Sequence, residues 1–217
     1  MRIKFSILII SIICILGFGC YRINTENTIG ILPLGGIEAS IIDTIESAIQ
    51  NYYGFKTCKL AAIEIPKAYY VTIKSPRYRA DSIIMFLKEN KPDSIDYIIG
   101  FTSFDISTTK RDKKGKIKKP ESKYLDWGIF GLGYRPGPSS VVSDFRLKAK
   151  SKELEIERIK KVTLHELGHN LGLPHCINLD CFMRDAAESI NTIDAVKLNL
   201  CDKCKNILGL ITDKEQD

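Results

Sequence analysis

The chain has 217 residues, of which 44% are hydrophobic and 27% are charged, a balance typical of a globular protein that excludes a disordered chain. This length is enough for one sizeable core, or for a core with a small appendage. The formal net charge is +6, but much of the excess lies in the first residues and in one lysine-rich stretch. The sequence shows neither a basic patch interleaved with aromatic residues nor a glycine-rich nucleotide motif, so nucleic-acid binding is not expected.

The first 19 residues have the pattern of an export signal. Two basic residues precede the apolar run Phe5–Phe18, which is shorter than the ~20 apolar residues of a membrane-spanning helix. The run ends at Gly19-Cys20, which resembles a bacterial lipoprotein cleavage site. We therefore expect a lipid on Cys20, a tether over residues 20–27, and a domain held on a bacterial membrane, in the periplasm or at the cell surface. An uncleaved anchor and plain secretion are the alternatives.

Strand and helix patterns alternate after the tether. In chain order they predict a strand over Thr28–Leu34, a helix over Ile37–Tyr53 ended by Gly54, a strand over Phe55–Ile65, a helix from Asp81 or Ser82 to about Asn90, and a strand over Ile95–Thr102. This β-α-β-α-β order predicts a largely parallel sheet. Cys58 falls in an apolar segment, so a buried free thiol is expected there.

The middle of the chain has a different composition. Residues 107–123 are lysine-rich and have no apolar periodicity, which predicts a mobile surface loop; the alternative is a patch that attracts acidic lipid head groups or an acidic substrate. The remaining predicted elements are strands over Asp126–Tyr134 and Ser139–Leu147, and helices over Ser151–Leu171 and Asp185–Leu200. A further helical turn is expected to begin within Cys201–Leu210. Ser151 is the expected N-cap of the long helix.

All three histidines of the chain lie in one motif inside the long helix and just after it. His165 and His169 are four residues apart, so they share one helix face and can bind one metal ion. Glu166 lies beside them, where it can take a proton from a water activated by the metal. Gly172 can adopt φ > 0 and turn the chain back, so that His175 reaches the same metal. Three protein ligands leave one position open, which is typical of a catalytic zinc.

Four cysteines follow the histidine motif, at Cys176, Cys181, Cys201 and Cys204. The C-x4-C and C-x2-C pairs can close a tetrahedral zinc site, and a closed site of this kind is structural. The segment that carries them has few core residues, so a bound metal would supply much of its folding energy. Disulfide pairing is the alternative, because the chain has the pattern of an exported protein.

The sequence HELGHNLGLPHC, followed by Cys181, Met183 and the C-x2-C pair, resembles the archaemetzincin family of metallopeptidases. A weaker similarity extends over about Thr28 to Leu210. The resemblance implies that the three histidines bind a catalytic zinc, that Glu166 is the general base, and that the four cysteines hold a second zinc. It also implies that Met183 lies in a turn beneath the catalytic metal.

The resemblance implies a zincin-like α+β or α/β fold. We expect a mixed twisted sheet of about five strands, the active-site helix and a small C-terminal subdomain stabilised by the zinc that the four cysteines hold. The domain is expected over residues 28–213, with the catalytic motif at 165–175 and the zinc subdomain at 176–210. In metzincins the strand at the cleft edge pairs with extended substrate, which makes Gly131–Tyr134 the candidate edge here. An ordinary edge strand, with glycines for close packing, is the alternative.

The predicted function is a zinc peptidase with two zinc ions per chain, one catalytic and one structural, that acts on a peptide or protein as a monomer. Tyr134 is a candidate for binding the oxyanion. One rival hypothesis is a zinc-stabilised binding module without hydrolysis, although binding alone does not need Glu166. A second rival is a zinc amidase that acts on cell-wall or other non-protein amides, and the motif does not separate it from a peptidase. Endopeptidase and aminopeptidase action both stay open.

Overall fold

The computed structural model of the chain describes residues 24–185 and 189–210. The predicted export signal and the first half of the predicted tether, including Cys20, lie outside the described residues. Within the described part, no helix is long and apolar enough to cross a membrane.

Nine strands and six α-helices are described, together with one turn of 3-10 helix at Lys67–Tyr69. In chain order they are β1 (Thr28–Leu34), α1 (Ala39–Tyr53), β2 (Lys56–Lys59), β3 (Tyr70–Val71), β4 (Arg77–Arg79), α2 (Ala80–Glu89), β5 (Tyr97–Thr102), β6 (Ile106–Thr108), α3 (Glu121–Tyr124), β7 (Trp127–Ile129), β8 (Gly131–Gly133), β9 (Ser139–Ser143), α4 (Lys152–Asn170), α5 (Ile190–Ala195) and α6 (Asp202–Ile207).

A five-stranded mixed sheet with the order β2-β1-β5-β9-β8 forms the centre of the fold. The first four strands are parallel, and the edge strand β8 runs antiparallel to β9. The predicted parallel sheet is therefore confirmed, and β1 has the predicted bounds. Gly54 ends α1 with φ +72°, as the helix-stop pattern predicts.

The sheet separates two hydrophobic layers because alternate side chains of each strand point to opposite faces. On one face, Ile29 and Ile31 of β1 pack with α1 and α4 in the larger core. On the other face, Leu32 and Leu34 of the same strand pack with α2. Helix α4 is thus packed against the sheet through buried apolar side chains.

A second, four-stranded sheet with the order β3-β4-β6-β7 was not predicted from the sequence. Its strands have two or three residues each, and a buried charge network joins them. Arg77 lies 3.3 Å from a carboxylate oxygen of Asp105 and 3.7 Å from one of Asp126. The Arg146 guanidinium also makes two hydrogen bonds to Asp105, at 2.6 and 2.8 Å. Paired charges of this kind do not appear as an apolar pattern.

Several predicted elements differ from the structure. The single strand predicted over Asp126–Tyr134 is two strands, β7 and β8, which belong to different sheets. The region predicted as a loop over 107–123 contains the end of β6, a hydrogen-bonded hairpin and most of α3. The predicted helix over Asp185–Leu200 is reduced to α5 among its described residues.

The prediction of a buried thiol at Cys58 is wrong, because this side chain is exposed. The residue lies on β2, which is the outer strand of the five-stranded sheet. An edge strand of four residues is covered only in part by its neighbours, so an apolar segment there does not ensure burial.

Candidate active site

Helix α4 presents His165, Glu166 and His169 to a cleft. Ser151 caps the helix, as predicted, with its hydroxyl accepting a hydrogen bond from the Leu154 N–H. Beyond the helix Gly172 adopts φ +96°, which is a conformation that favours glycine. The chain turns there, and this turn brings His175 back to the face of the helix that carries the other two histidines.

The three imidazole rings converge. Their ring centroids are 4.6 Å apart for His165 and His169, 5.3 Å for His165 and His175, and 4.8 Å for His169 and His175. One ring nitrogen of each residue lies within 4.8 Å of the corresponding nitrogens of the other two. This spacing fits three nitrogen ligands around one tetrahedral metal ion, with a fourth position open.

Two of the rings are oriented by backbone carbonyls. Nδ1 of His165 lies 2.6 Å from the Phe182 carbonyl oxygen, and Nδ1 of His169 lies 2.8 Å from that of Leu173. A carbonyl oxygen only accepts hydrogen bonds, so both Nδ1 atoms carry the proton. The opposite nitrogen, Nε2, is then an unprotonated acceptor, which is the form of imidazole that binds zinc.

The third ring has a carboxylate partner, since Nδ1 of His175 lies 3.5 Å from an oxygen of Asp185. Burial, together with the neighbouring imidazoles, lowers the pKa of His165 to about 3, and burial together with His175 and Arg135 lowers that of His169 to about 4. Burial also lowers the pKa of His175. The three rings are therefore neutral at pH 7, as metal ligands must be.

Glu166 is buried beside the histidines, and this burial raises the pKa of its carboxyl to about 8. The edge strand β8 lies directly against it. A Cβ added at Gly131 would lie 2.7 Å from both Cγ and Oε1 of Glu166, and a Cβ added at Gly133 would lie 2.9 Å from the Glu166 carbonyl oxygen. The glycines of β8 thus allow close packing, which is the alternative interpretation of this strand given by the sequence. The same strand also lines the cleft.

Tyr134 does not face the cleft with its side chain. Its ring packs with the core on the α2 side of the sheet and lies 5.6 Å from the Lys88 ammonium. Its carbonyl accepts a hydrogen bond from the Asn170 side chain, which also donates to the Ser139 carbonyl. This geometry does not place the Tyr134 hydroxyl at an oxyanion, but it shows that Asn170 ties β8 and β9 to the active-site helix.

Met183 lies beneath the helix, fully buried in the larger core. A Cβ added at Gly168 would lie only 2.5 Å from the Met183 sulfur, so the thioether packs directly under the helix between the two histidine turns. The preceding residue, Phe182, supplies the carbonyl that orients His165. The structure therefore brings the predicted Met183 turn to the underside of the site.

The cleft encloses about 450 Å³ between α4, β8 and the segment that follows Met183. Its charged lining residues are Lys110, Arg135, Lys161, Glu166 and Asp185. Ile193 and Val196, in and just after α5, form one apolar wall. The Lys161 ammonium is buried, donates to the Ile193 carbonyl at 3.1 Å, and lies 2.7 Å from a Glu157 oxygen.

The four C-terminal cysteines converge at a second place. The sulfurs of Cys176 and Cys201 are 3.6 Å apart, those of Cys181 and Cys204 are 3.9 Å apart, and all four lie within 4.8 Å of one another. None of them is in a disulfide. Four sulfurs at tetrahedral Zn–S distances of about 2.3 Å would be about 3.8 Å apart, so the donor set fits a closed zinc site.

Sequence reasoning missed four groups that shape the site. The carbonyls of Phe182 and Leu173 orient two rings, and a backbone carbonyl has no sequence signature. Asp185 follows Met183 by two residues, and its acidic side chain near a third histidine is a usable signal. Asn170 is a polar residue at the buried end of α4, which is a second signal that calls for a hydrogen-bond partner.

Comparisons with known proteins identify the family. The model of peptidase family M54 matches residues 28–209. The chain is 27% identical over 186 residues to an archaemetzincin of Halobacterium salinarum, which covers 82% of this chain and 96% of that relative.

The fold is similar to two crystal structures. For the archaemetzincin of Methanopyrus kandleri the TM-score is 0.70 and the identity 27%, with 86% of this chain and 95% of that chain covered. For the archaemetzincin of Archaeoglobus fulgidus, complexed with malonate, the TM-score is 0.67 and the identity 25%, with 83% and 99% covered. The chain belongs to peptidase family M54, the family of the archaemetzincins, and is a zinc-dependent metallopeptidase.

Proposed function

We propose that this peptidase hydrolyses peptide bonds with His165, His169 and His175 as ligands of the catalytic zinc and Glu166 as the general base. The observation that carries the proposal is the convergence of three neutral imidazoles beside one buried carboxyl group. When bound, zinc would polarise the scissile carbonyl and lower the pKa of a water to about 7.

The residues of the chain supply the remaining functions. The charge of a bound zinc would lower the pKa of Glu166 from its raised value of about 8 and so keep it a carboxylate. In that form Glu166 would take the proton of the attacking water and pass it to the leaving nitrogen. The close approach of Gly131 to Cγ and Oε1 of Glu166 limits where the carboxylate can lie. The Phe182 and Leu173 carbonyls keep two imidazoles in the tautomer that leaves Nε2 unprotonated.

Strand β8 would orient the substrate. It is an edge strand that lines the cleft, and it pairs with β9 on one side only. Because backbone groups along a strand alternate in direction, a strand with one partner leaves N–H and C=O groups available on its other side. An extended peptide that pairs with the β8 backbone, from Gly131 to the Tyr134 end, would lie across the histidines with little demand on its side chains.

The Cys176, Cys181, Cys201 and Cys204 tetrad would bind a second, structural zinc, which gives two zinc ions per chain. Two backbone N–H groups already donate to its sulfurs, from Asn178 to Cys176 and from Cys201 to Cys181, both at 3.4 Å. Such donors favour the thiolate form that binds metal. The chain would act as a monomer.

The site of action would be a bacterial membrane. This part of the proposal rests on the sequence alone, that is, on the apolar leader and on Cys20 as the lipidated residue. A lipid there would hold the domain at the surface through a short polar tether.

The test combines metal analysis with hydrolysis. We expect two zinc ions per chain by elemental analysis, and cleavage of a mixed peptide library that stops when a chelator removes zinc. Cleavage of muropeptides without cleavage of any peptide would replace the proposal by an amidase. If the His169→Ala variant still held two zinc ions per chain, the histidines would not be the ligands.

A further inference from the structure

Residues 110–118 form a hydrogen-bonded hairpin, here called the basic hairpin. Arg111 and Ile117 pair across it in antiparallel fashion, the Asp112 N–H donates to the Lys116 carbonyl at 2.8 Å, and the Lys118 N–H donates to the Lys110 carbonyl at 3.0 Å. Gly115 turns the chain with φ +78°. The segment that looks like an unstructured charge run in the sequence therefore has a defined shape.

The hairpin presents unbalanced positive charge. Its exposed cationic residues are Arg111, Lys113, Lys114, Lys116 and Lys118. Its one acidic residue, Asp112, uses its carboxylate to accept hydrogen bonds from the N–H groups of Lys114 and Lys116, at 2.8 and 3.0 Å. Within the described residues, the ammonium groups of the four lysines make no ion pair. The acid thus holds the turn, and the lysines are left to face solvent or a ligand.

The base of the hairpin forms part of the cleft wall. Thr108, at the end of β6, and Lys110, at the base of the hairpin, both line the cleft. The base is fixed, because the Lys110 N–H donates to the Tyr124 carbonyl at 2.9 Å and the Lys110 ammonium lies 4.7 Å from the centre of the Trp127 ring. Anything bound along the hairpin is therefore continuous with the active-site cleft.

The cleft itself carries a further positive charge, at Arg135. Arg135, which follows β8, is exposed and lines the cleft, and within the described residues its guanidinium has no ion-pair partner. The acidic lining residues are engaged in the site, Glu166 as the buried carboxyl and Asp185 on His175. A negatively charged polypeptide is thus favoured both inside the cleft and outside it.

We propose that the basic hairpin, together with Arg135, recruits an acidic segment of a polypeptide substrate and so delivers that substrate to the cleft. The inference rests on the proposed peptidase function and adds the substrate class. An extended chain that leaves the cleft follows the hairpin for roughly 13 Å over four residues, at about 3.3 Å per residue. The acidic residues of a good substrate therefore lie in the segment just outside the cleft. A membrane surface has no segment that continues into the cleft, which favours the polypeptide.

The experiment uses the full chain loaded with zinc and three peptides. The peptides share one cleavable centre and differ only in flanking residues, which are glutamate, glutamine or lysine. We expect kcat/KM for the glutamate peptide to exceed that for the glutamine peptide by about tenfold at low salt, and the ratio to fall toward about twofold at high salt. Binding of the fluorescent glutamate peptide to the zinc-loaded Glu166→Gln protein, followed by anisotropy, gives a readout without hydrolysis.

Two variants separate the hairpin from overall charge. In the hairpin variant, Lys113, Lys114, Lys116 and Lys118 are all replaced by glutamine. In the control variant, the same change is made at four exposed lysines that do not line the cleft, Lys56, Lys67, Lys88 and Lys150. The ratio of the two kcat/KM values should approach one in the hairpin variant and stay near tenfold in the control. Arg135→Gln should lower the ratio by about threefold.

The outcomes separate the inference from the proposed function. In one outcome, the protein binds the glutamate peptide in a salt-dependent manner, the hairpin variant does not, and no peptide is cleaved. This result supports the recruitment surface and contradicts the proposed function. Equal cleavage of all three peptides leaves the proposed function and overturns the inference. Hairpin-dependent binding to phosphatidylserine vesicles, with no preference among peptides, also overturns it and assigns the hairpin to a lipid surface.

Discussion

The two candidate metal-binding clusters lie next to each other in the chain but are built in different ways. The histidine cluster takes two ligands from α4, whose other side is packed in the larger core, and one from the turn after Gly172. The cysteine cluster takes its ligands from turns and the start of α6, in a segment whose described helices have six residues each. Helix α4 is held by its own packing in the larger core. A metal bound by the cysteines would crosslink turns and short helices whose apolar side chains, such as Phe182, Leu200 and Leu208, reach the same core, so the expectation of few core residues in this segment is wrong.

A metal at each cluster should therefore control a different property of the protein. Three ligands around an open position leave room for a substrate, whereas four sulfurs close the coordination shell. Cys181 and Cys204 are buried in the same core as Met183, so a metal bound there would fix the floor beneath the histidines. Loss of metal from the first cluster should remove activity, and loss from the second should remove stability.

Replacing Glu166 should remove turnover while leaving metal binding at the histidine cluster intact. Glu166→Gln keeps the shape of the side chain but removes its ability to take a proton, so kcat should fall by about 10³-fold. Zinc per chain should stay the same, because Glu166 is not one of the three converging ligands. Glu153→Gln is the matched control, since Glu153 is an exposed residue in the first turn of the same helix. Parent-like turnover in Glu166→Gln would remove the general base from the mechanism.

Removing each cluster in turn should separate stability from activity. Replacing Cys201 and Cys204 by serine should remove one zinc and lower Tm by about 10 °C, because a segment of turns and six-residue helices loses its metal crosslink. His169→Ala should remove the other zinc and abolish turnover, with a smaller change in Tm. Elemental analysis and thermal unfolding of both proteins check this. An unchanged Tm in the cysteine variant would show that its segment folds without metal.

The third prediction tests the contact between β8 and the general base. Gly131→Ala places a methyl group where Cγ and Oε1 of Glu166 lie, at 2.7 Å, so the carboxylate must move. A displacement of about 1 Å at a catalytic group can cost about 10²-fold in rate, so kcat should fall by about 10- to 100-fold with zinc retained. Gly36→Ala is the control, because nothing lies within 4 Å of an added Cβ there. Equal activity of the two variants would show that β8 does not position Glu166.

The same comparison shows what the sequence could predict. The spacing of His165 and His169 on a helix, and a turn at Gly172, are local rules, and the structure brings these residues together as predicted. The strand over Thr28–Leu34 was predicted to the residue because a buried central strand is apolar throughout. The cysteine spacing was also sufficient to predict the second cluster.

The rest depended on contacts between distant segments. The second sheet has strands of two or three residues held by Arg77, Asp105 and Asp126, which resemble surface charges when read one at a time. The break at Phe130 between β7 and β8 sends one apolar stretch into two sheets, and nothing local marks it. The carbonyl of Phe182 orients His165 only because the Met183 turn folds beneath α4.

The smallest expected effect concerns α5, which lies between the two clusters and forms a wall of the cleft. The Arg158 guanidinium of α4 makes two hydrogen bonds of 2.7 Å to Asp194, and it lowers the pKa of that carboxyl. Asp194→Asn should therefore cost roughly 1 kcal/mol of unfolding free energy at pH 7. A carboxyl with a lowered pKa stabilises the fold above the pKa of the unfolded chain, about 3.9, and this stabilisation is lost as pH falls through the folded value.

The difference between the parent and Asp194→Asn should therefore be full from pH 7 to about pH 5 and shrink below pH 4, as measured by urea unfolding. Asp180→Asn is the control, because the Asp180 pair with Lys197 is exposed on both sides and should contribute close to nothing. Since Ile193 and Val196 line the cleft, a loosened α5 should raise KM more than it lowers kcat. If the difference in unfolding free energy between the two proteins stayed constant down to pH 3, the contact between Arg158 and Asp194 would stabilise the fold through packing and not through charge.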